Sequence, residues 1–432
     1  MVEANILLLG VFVLLMALGA PIAVALAAGG IAGILVGLDI QALATVGTNT
    51  FNGIAKYPLI AIPLFILAGT LFERSGVAAR LIAFIQAIVG PRRGGLALVA
   101  ILVCMIMGGM SGSGPADAAA VAAVMIPTMR RAGYPGSFSA SVIAAASSTA
   151  ILIPPSIALI LYSILVPGVD LRALFAAGLV PGLLCGLAVA VPTWWLSRRY
   201  DMGGEEDATR PPFFASLLSA GPGLFAPVLI LGGLRTGLFT PTEAAAVAAV
   251  YGLVIGVGYY RTLGWREVYE AFVDSAETSA VIMFVIALAG IFAWAGSTLG
   301  AFDAAAKVIV AIGQDESGTL LLIMAVLLIA GMVLDGVSIY LITMPLLLPI
   351  MVAHAWNPVW FGVLMAMNIA IGQFTPPVAV NLMVTARIAG VPLESTVRWV
   401  LWLVIAMTAA LVAVVFFPGL ALWLPAVLGY GG

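Results

Sequence analysis

Gly109-Met110-Ser111-Gly112-Ser113-Gly114-Pro115-Ala116-Asp117 and Gly331-Met332-Val333-Leu334-Asp335-Gly336-Val337-Ser338 stand 222 positions apart and read as one stretch met twice. At that offset residues 109–171 align with 331–393 without a gap. Gly114 falls on Gly336, Pro127 on Pro349, Met129 on Met351, and Pro154-Pro155 on Pro376-Pro377. Gly168-Val169 and Leu171 then fall on Gly390-Val391 and Leu393. Chance matches in a chain rich in Ala and Leu would fall on Ala and Leu. These fall on glycine and proline, the residues that set backbone geometry. The chain is an internal repeat.

Outward from that pair the sequence is apolar. Of 432 residues, 63% are hydrophobic and 8% charged, where a soluble protein carries roughly a quarter charged. Ile6 to Leu38 contains no charge, enough for two bilayer-crossing helices of about twenty residues each, with Pro21 between them. Soluble globular, coiled-coil and disordered classes are excluded, and the class is an all-α polytopic membrane protein. Neither lysine (Lys56, Lys307) follows a Gly-rich Walker loop, so the chain does not hydrolyse ATP. One histidine (His354) and two cysteines (Cys104, Cys185) make no usual zinc or haem ligand set. Both cysteines lie in apolar runs and read as small hydrophobes. The start, Met1-Val2-Glu3-Ala4-Asn5, lacks the basic residues of a cleaved signal peptide, so the first apolar run is expected to stay.

Charge placement predicts how the repeats face. Arg92-Arg93 and Arg130-Arg131 flank a segment whose only charge is Asp117, which puts both ends on the positive, cytoplasmic side. Residues 94–129 then form a hairpin entering from inside. The repeat partner, 317–351, is flanked by Asp315-Glu316 and His354 with no basic pair, as an inverted copy entering from outside would be. With the N-terminus outside, crossings are predicted at 4–19, 22–38, 58–72, 137–166, 173–197, 213–234, 243–260, 279–296, 358–386 and 397–417. Thirteen of the seventeen basic residues then lie inside. The domains expected are a first repeat over 1–196, a cytoplasmic linker over 197–212 that carries Glu205-Glu206-Asp207, and a second repeat over 213–432. Segments 40–54, 75–90, 262–277 and 299–314 are amphipathic and read as helices at the membrane edge.

Three motifs bear chemistry. Gly and Pro crowd residues 108–117 and break the helix at membrane depth, where bare carbonyls are tolerated only beside protein or a polar cavity. Ser111 and Ser113 add hydroxyls, and an oxygen-rich, uncharged set suits a hard monovalent cation such as Na⁺. Ordinary capping of a tight turn is the alternative for both serines, and capping or packing for Asp117. In the second motif, Ser147-Ser148-Thr149 precedes Pro154-Pro155 in mid-span, and Gly372-Gln373-Phe374-Thr375 precedes Pro376-Pro377 in its partner. Broken helices at matching depths point to a transporter's binding site. In the third, Asp335 is an ion group at membrane depth or a capping carboxylate at a hairpin tip. Asn368 and Asn381 flank the second break, as ligands or as links between helices. Gly109-Met110-Ser111-Gly112 also matches a short string of intramembrane serine proteases, but that chemistry needs a base beside the serine, and the only histidine is His354.

At these residues the chain resembles the large membrane subunit of tripartite ATP-independent periplasmic (TRAP) transporters, over essentially its whole length. The matching stretches are Ser111-Gly112-Ser113 with Ala116-Asp117, Ile153-Pro154-Pro155-Ser156, Phe239-Thr240-Pro241-Thr242-Glu243-Ala244-Ala245-Ala246, and Thr375-Pro376-Pro377-Val378 with Asn381. Gly114-Pro115 and Gln373 depart from the family pattern. The resemblance implies an elevator-type ion-transporter fold of two inverted-topology repeats, with re-entrant hairpins and broken helices forming a mobile transport domain. It implies Na⁺ as coupling ion. One sodium falls among Ser111, Ser113 and the break carrying Ser147, Ser148, Thr149 and Pro154; a second falls among Gly331, Asp335, Gly372 and Thr375. Substrate contacts fall to Ser111, Asn368, Thr375 and Asn381. An organic acid anion would arrive on a periplasmic binding protein, and a small four-helix membrane subunit, expected as a separate polypeptide, would complete the assembly in the bacterial inner membrane. No nucleic acid and no organic cofactor are implied. A sodium/carboxylate symporter that needs no binding protein is the alternative.

Overall fold

The computed structural model describes residues 2–90, 92–203 and 210–430. Among them every regular element is a helix, and seven helices are long and apolar enough to cross a membrane. In the first half α1 (Val2–Ala17), α2 (Ile22–Gly37), α3 (Ala44–Ile54), α4 (Ala61–Arg74) and α5 (Val77–Val89) lead into a hairpin, α6 (Gly95–Ser111) and α7 (Gly114–Arg131). A broken pair, α8 (Gly136–Ser147) and α9 (Ile157–Leu165), and the long α10 (Leu171–Arg199) follow. The second half runs α11 (Phe213–Thr236), α12 (Pro241–Leu253), α13 (Trp265–Thr298) and α14 (Ala301–Gly313). Its hairpin is α15 (Glu316–Gly331) and α16 (Gly336–Ala353), its broken pair α17 (Pro358–Gly372) and α18 (Val380–Ala389), and α19 (Val397–Phe416) and α20 (Gly419–Val427) end it. With the offset of 222 applied, α7 and α16 begin and end at the same positions.

Local chemistry explains the turns. Gly112 has φ +62°, a conformation that favours glycine, and Ser113 beside it is extended. Pro115 lies in the first turn of α7, where its missing N–H costs nothing. α8 tightens into a 3₁₀ turn over Ser148–Ile151 and stops short of Pro154-Pro155. The helix resumes at α9, where Ser156 accepts the Leu159 N–H at 3.4 Å. In the second half the Met332 carbonyl of the hairpin accepts the N–H groups of Val378 (3.1 Å) and Ala379 (3.3 Å). Donors freed by the break are thus satisfied by the hairpin, as burial at membrane depth requires.

The halves interlock. α18 packs on α7 and α8 of the first half, while α6 packs on α8 and α15 on α17. Fully buried Tyr162 of α9 and Tyr340 of α16 meet edge to face at 5.9 Å. α4, α12 and α13 pack together, with α2 and α3 on α13, and α5 bridges α6 and α11. Cys104 and Cys185 are free thiols, both buried.

Two elements differ from expectation. Residues 262–277 do not form a separate edge helix, because α13 runs unbroken for 34 residues. No proline lies in Trp265–Thr298 and the first glycine there is Gly290, so nothing stops the helix. At 1.5 Å per residue it is about 51 Å long, against a hydrocarbon core of about 30 Å. Its overhang carries Glu270 and Asp274, both paired with Arg74 at the end of α4. The second difference is α20, a short helix beyond the last predicted crossing. Glu205-Glu206-Asp207 of the predicted linker lie outside the described residues. The linker's end is held by Arg210, whose Nε donates to the Ala87 carbonyl at 2.6 Å.

Candidate functional site

The first hairpin tip lies directly on the first helix break. A Cβ added at Gly108 would stand 2.7 Å from Ala150 Cα, and one at Gly112 would stand 2.6 Å from the Pro155 carbonyl oxygen. Only glycine allows backbone to meet backbone this closely. Ser111 Oγ donates to Asp117 Oδ1 at 2.7 Å and accepts the Ser113 N–H at 3.1 Å. Asp117 is buried, and its Oδ2 has no partner. The carboxylate therefore accepts the Ser111 hydroxyl rather than capping α7, and the Ser113 side chain does not cap α7 either. Ser147, Ser148 and Thr149 are fully buried, each donating its hydroxyl to the carbonyl three residues back (Ala144, Ala145, Ala146). Their protons are committed within the helix, and what they offer outward is oxygen. The Pro154 carbonyl faces the hairpin, 3.5 Å from where a Gly109 Cβ would lie.

The second tip repeats the arrangement. A Cβ at Gly372 would stand 2.4 Å from the Gly331 carbonyl carbon, so α15 and α17 touch through bare backbone. Thr375 Oγ1 donates to the Ile371 carbonyl at 2.6 Å. Asp335 is exposed and caps α16, accepting from the N–H groups of Val337 (3.1 Å) and Ser338 (3.4 Å) and from the Ser338 hydroxyl. Asn368 donates to the Leu364 carbonyl at 2.9 Å and to Met324 Sδ at 2.8 Å. Asn381 donates instead across the repeat, to Ser147 Oγ at 3.2 Å and the Ala144 carbonyl at 3.4 Å. The two asparagines that flank one break in sequence thus serve different places, Asn368 against α15 and Asn381 beside the first break.

Between the tips lies a cavity of about 280 Å³. Residues 111–116, residues 335–337 and Gln373 line it from the hairpin side, Gly69 and Thr70 from α4, and Thr278 and Ile282 from α13. Of the sequence-predicted residues Ser111, Ser113 and Asp335 line this cavity; the others stand behind it. Asp335 is the only ionisable residue in its lining among the described residues. Among the described residues near the hairpins and breaks, four buried side-chain oxygens have no hydrogen-bond partner: Asp117 Oδ2, Asn368 Oδ1, Asn381 Oδ1 and Gln373 Oε1. Acceptors without donors, close to the helix breaks, are the donor set a bare cation fits. Sequence reasoning missed Thr70 and Thr278, for which no motif exists, and gave Gln373 no role although it precedes Thr375-Pro376-Pro377. The group that accepts the Ser111 hydroxyl is the Asp117 carboxylate, and the histidine is remote. His354 follows α16, about 27 Å along the helix from the tip, and stacks on Trp356 at 5.0 Å.

The family model described as tripartite ATP-independent periplasmic transporter, DctM component, matches residues 9–420. The chain belongs to this family. It is the large permease subunit of a TRAP transporter. The C4-dicarboxylate TRAP transporter large permease protein DctM of Pseudomonas aeruginosa is 39% identical over 380 residues, 88% of each chain. The isethionate TRAP transporter permease protein DctMQ of Oleidesulfovibrio alaskensis is 36% identical over 96% of the permease, which spans 65% of that relative's length. The crystal structure of the Alcanivorax borkumensis YdaH transporter matches with a TM-score of 0.65, covering 89% of the permease and 91% of that chain. At 17% identity that likeness speaks for the fold alone.

Proposed function

We propose that this permease imports an organic acid anion by sodium symport, as the large subunit of a three-part system in the bacterial inner membrane. A periplasmic binding protein delivers the anion, and a small four-helix membrane subunit stands beside the scaffold. The observation that carries the reading is the cavity between two hairpin tips, each laid on a broken helix, with the unpartnered oxygens of Asp117, Asn368, Gln373 and Asn381 around it. One sodium is assigned to Ser111, Ser113 and the break holding Ser147, Ser148, Thr149 and Pro154. A second is assigned to Gly331, Asp335, Gly372 and Thr375. Ser111 touches the substrate, while Asn368, Thr375 and Asn381 act from behind, holding the breaks in place. The hairpins and broken helices travel as one transport domain against α1, α2, α4, α11, α12 and α13, with the two repeats inserted from opposite faces.

Relatives named for a C4-dicarboxylate and for isethionate support an organic anion as cargo. The test is uptake into vesicles that hold the permease with its partner subunit, supplied with loaded binding protein. An inward sodium gradient should drive accumulation. Uptake that persisted without sodium and required internal ATP would refute the symport. Full sodium-driven uptake with the binding protein left out would favour a two-component symporter instead.

A further inference from the structure

The Gln373 side chain stands between the two hairpin tips. Its Oε1 would lie 2.7 Å from a Cβ at Gly114, and its Nε2 would lie 3.9 Å from one at Gly336. The residue is 7% exposed, lines the cavity and has its Oε1 sealed and unpartnered. No side-chain hydrogen bond is made by this amide among the described residues, whereas the nearby Asn381 amide is bound to Ser147 and Ala144. Oε1 is the sealed end; the Nε2 end is not sealed, and its N–H donors have no protein acceptor, which leaves them for an acceptor on a ligand. The room it occupies exists because residue 114 has no side chain.

We infer that Gln373 is a specificity-determining residue whose amide N–H groups bind a neutral oxygen, hydroxyl or keto, on a monocarboxylate substrate. The inference rests on the reading of this cavity as the substrate site. The carboxylate itself has the start of α7, where the Gly114 and Ala116 N–H groups are not capped by the Ser113 side chain, while Pro115 has none and the Asp117 N–H bonds the Ser113 carbonyl. The other tip is closed to an anion, because Asp335 already occupies the N–H groups of α16. Among the described residues no Lys, Arg or His lines the cavity to offset a second carboxylate, and a sodium held at Asp335, on the side toward which Nε2 points, is already balanced by that carboxylate. The group beside Gln373 is therefore polar and uncharged. A 2-hydroxy or 2-oxo acid meets both ends; a plain dicarboxylate and a plain alkyl acid do not.

Binding of four probes to the purified permease with its small subunit tests this, read as ligand-dependent thermal protection in sodium. The probes are 2-hydroxybutyrate, 2-oxobutyrate, butyrate and succinate. The wild type should favour the first two over butyrate by about tenfold or more in apparent affinity, the effect of one hydrogen bond from a buried group. Gln373→Leu should erase that preference while leaving butyrate binding in place. Thr278→Trp, filling the cavity from the scaffold wall, separates the two ways of failing. Unchanged binding of every probe in Thr278→Trp, or no protection of the wild type by any probe, overturns the cavity as substrate site and the inference with it. Blocked binding in Thr278→Trp with an intact oxygen preference in Gln373→Leu overturns the role of Gln373 alone, as does stronger binding of succinate than of 2-hydroxybutyrate by the wild type.

Discussion

Ser111 and Ser113 sit two residues apart on one hairpin tip, yet removing their hydroxyls should have different consequences. Ser113 does not cap α7 and lines the cavity. Ser113→Ala therefore orphans nothing in the protein, and its cost falls on a bound cation. A lost polar contact of about 1–3 kcal/mol corresponds to about a five- to more than hundredfold change in affinity. Ser111 is different, because its oxygen donates to Asp117 and receives the Ser113 N–H. Ser111→Ala leaves a buried carboxylate oxygen and a backbone donor unpaired, each costing about 1–3 kcal/mol of stability, besides removing a proposed sodium ligand. The assay is a sodium titration of uptake beside a melting curve in detergent. Ser113→Ala should shift the sodium midpoint with a wild-type melting temperature; Ser111→Ala should shift both. A Ser113→Ala protein that melts early but keeps the wild-type sodium midpoint would show that the tip serines cap the turn and hold no ion.

Two further outcomes follow from the fold. Gly94→Cys and Ser317→Cys, at the bases of the two hairpins, should react with a membrane-impermeant maleimide from opposite faces; labelling from one common face would refute the inverted insertion. Gly372→Ala should lower the melting temperature, because forcing α15 and α17 apart costs about 1–3 kcal/mol while helix propensity returns at most about 1 kcal/mol. A variant as stable as the wild type would mean that the backbone of Gly331 yields freely to the added methyl group.

Both hairpins and both breaks were legible in the sequence because glycine and proline act on their own backbone. Gly112 needs no partner to take a positive φ, and Pro154-Pro155 and Pro376-Pro377 end a helix wherever they stand. What was not legible depends on residues far apart in the chain. Asn381 reads as a flank of its own break, yet its partner Ser147 lies 234 positions earlier. Thr70 and Thr278 carry no motif and gain meaning only from the cavity between them and the tips. The unbroken α13 was hidden for another reason. Its charged first turns look like an edge helix by composition, and only the lack of any breaker shows that the helix continues.

The lining of the cavity bears on leakage. A carrier with a built-in arginine can hold an anion that arrives alone and let it slip across without its driving ion. Here the walls offer hydroxyls, amides and one carboxylate, and no resident positive charge. An unaccompanied carboxylate moved into such a space gives up its hydration with no countercharge to replace it, a penalty of several kcal/mol, or more than a thousandfold in occupancy. Cations that enter with it cancel that penalty. On the proposed sodium symport, tight stoichiometry needs no separate gate to enforce it: among the described residues, a side chain that would permit slippage is missing from the wall.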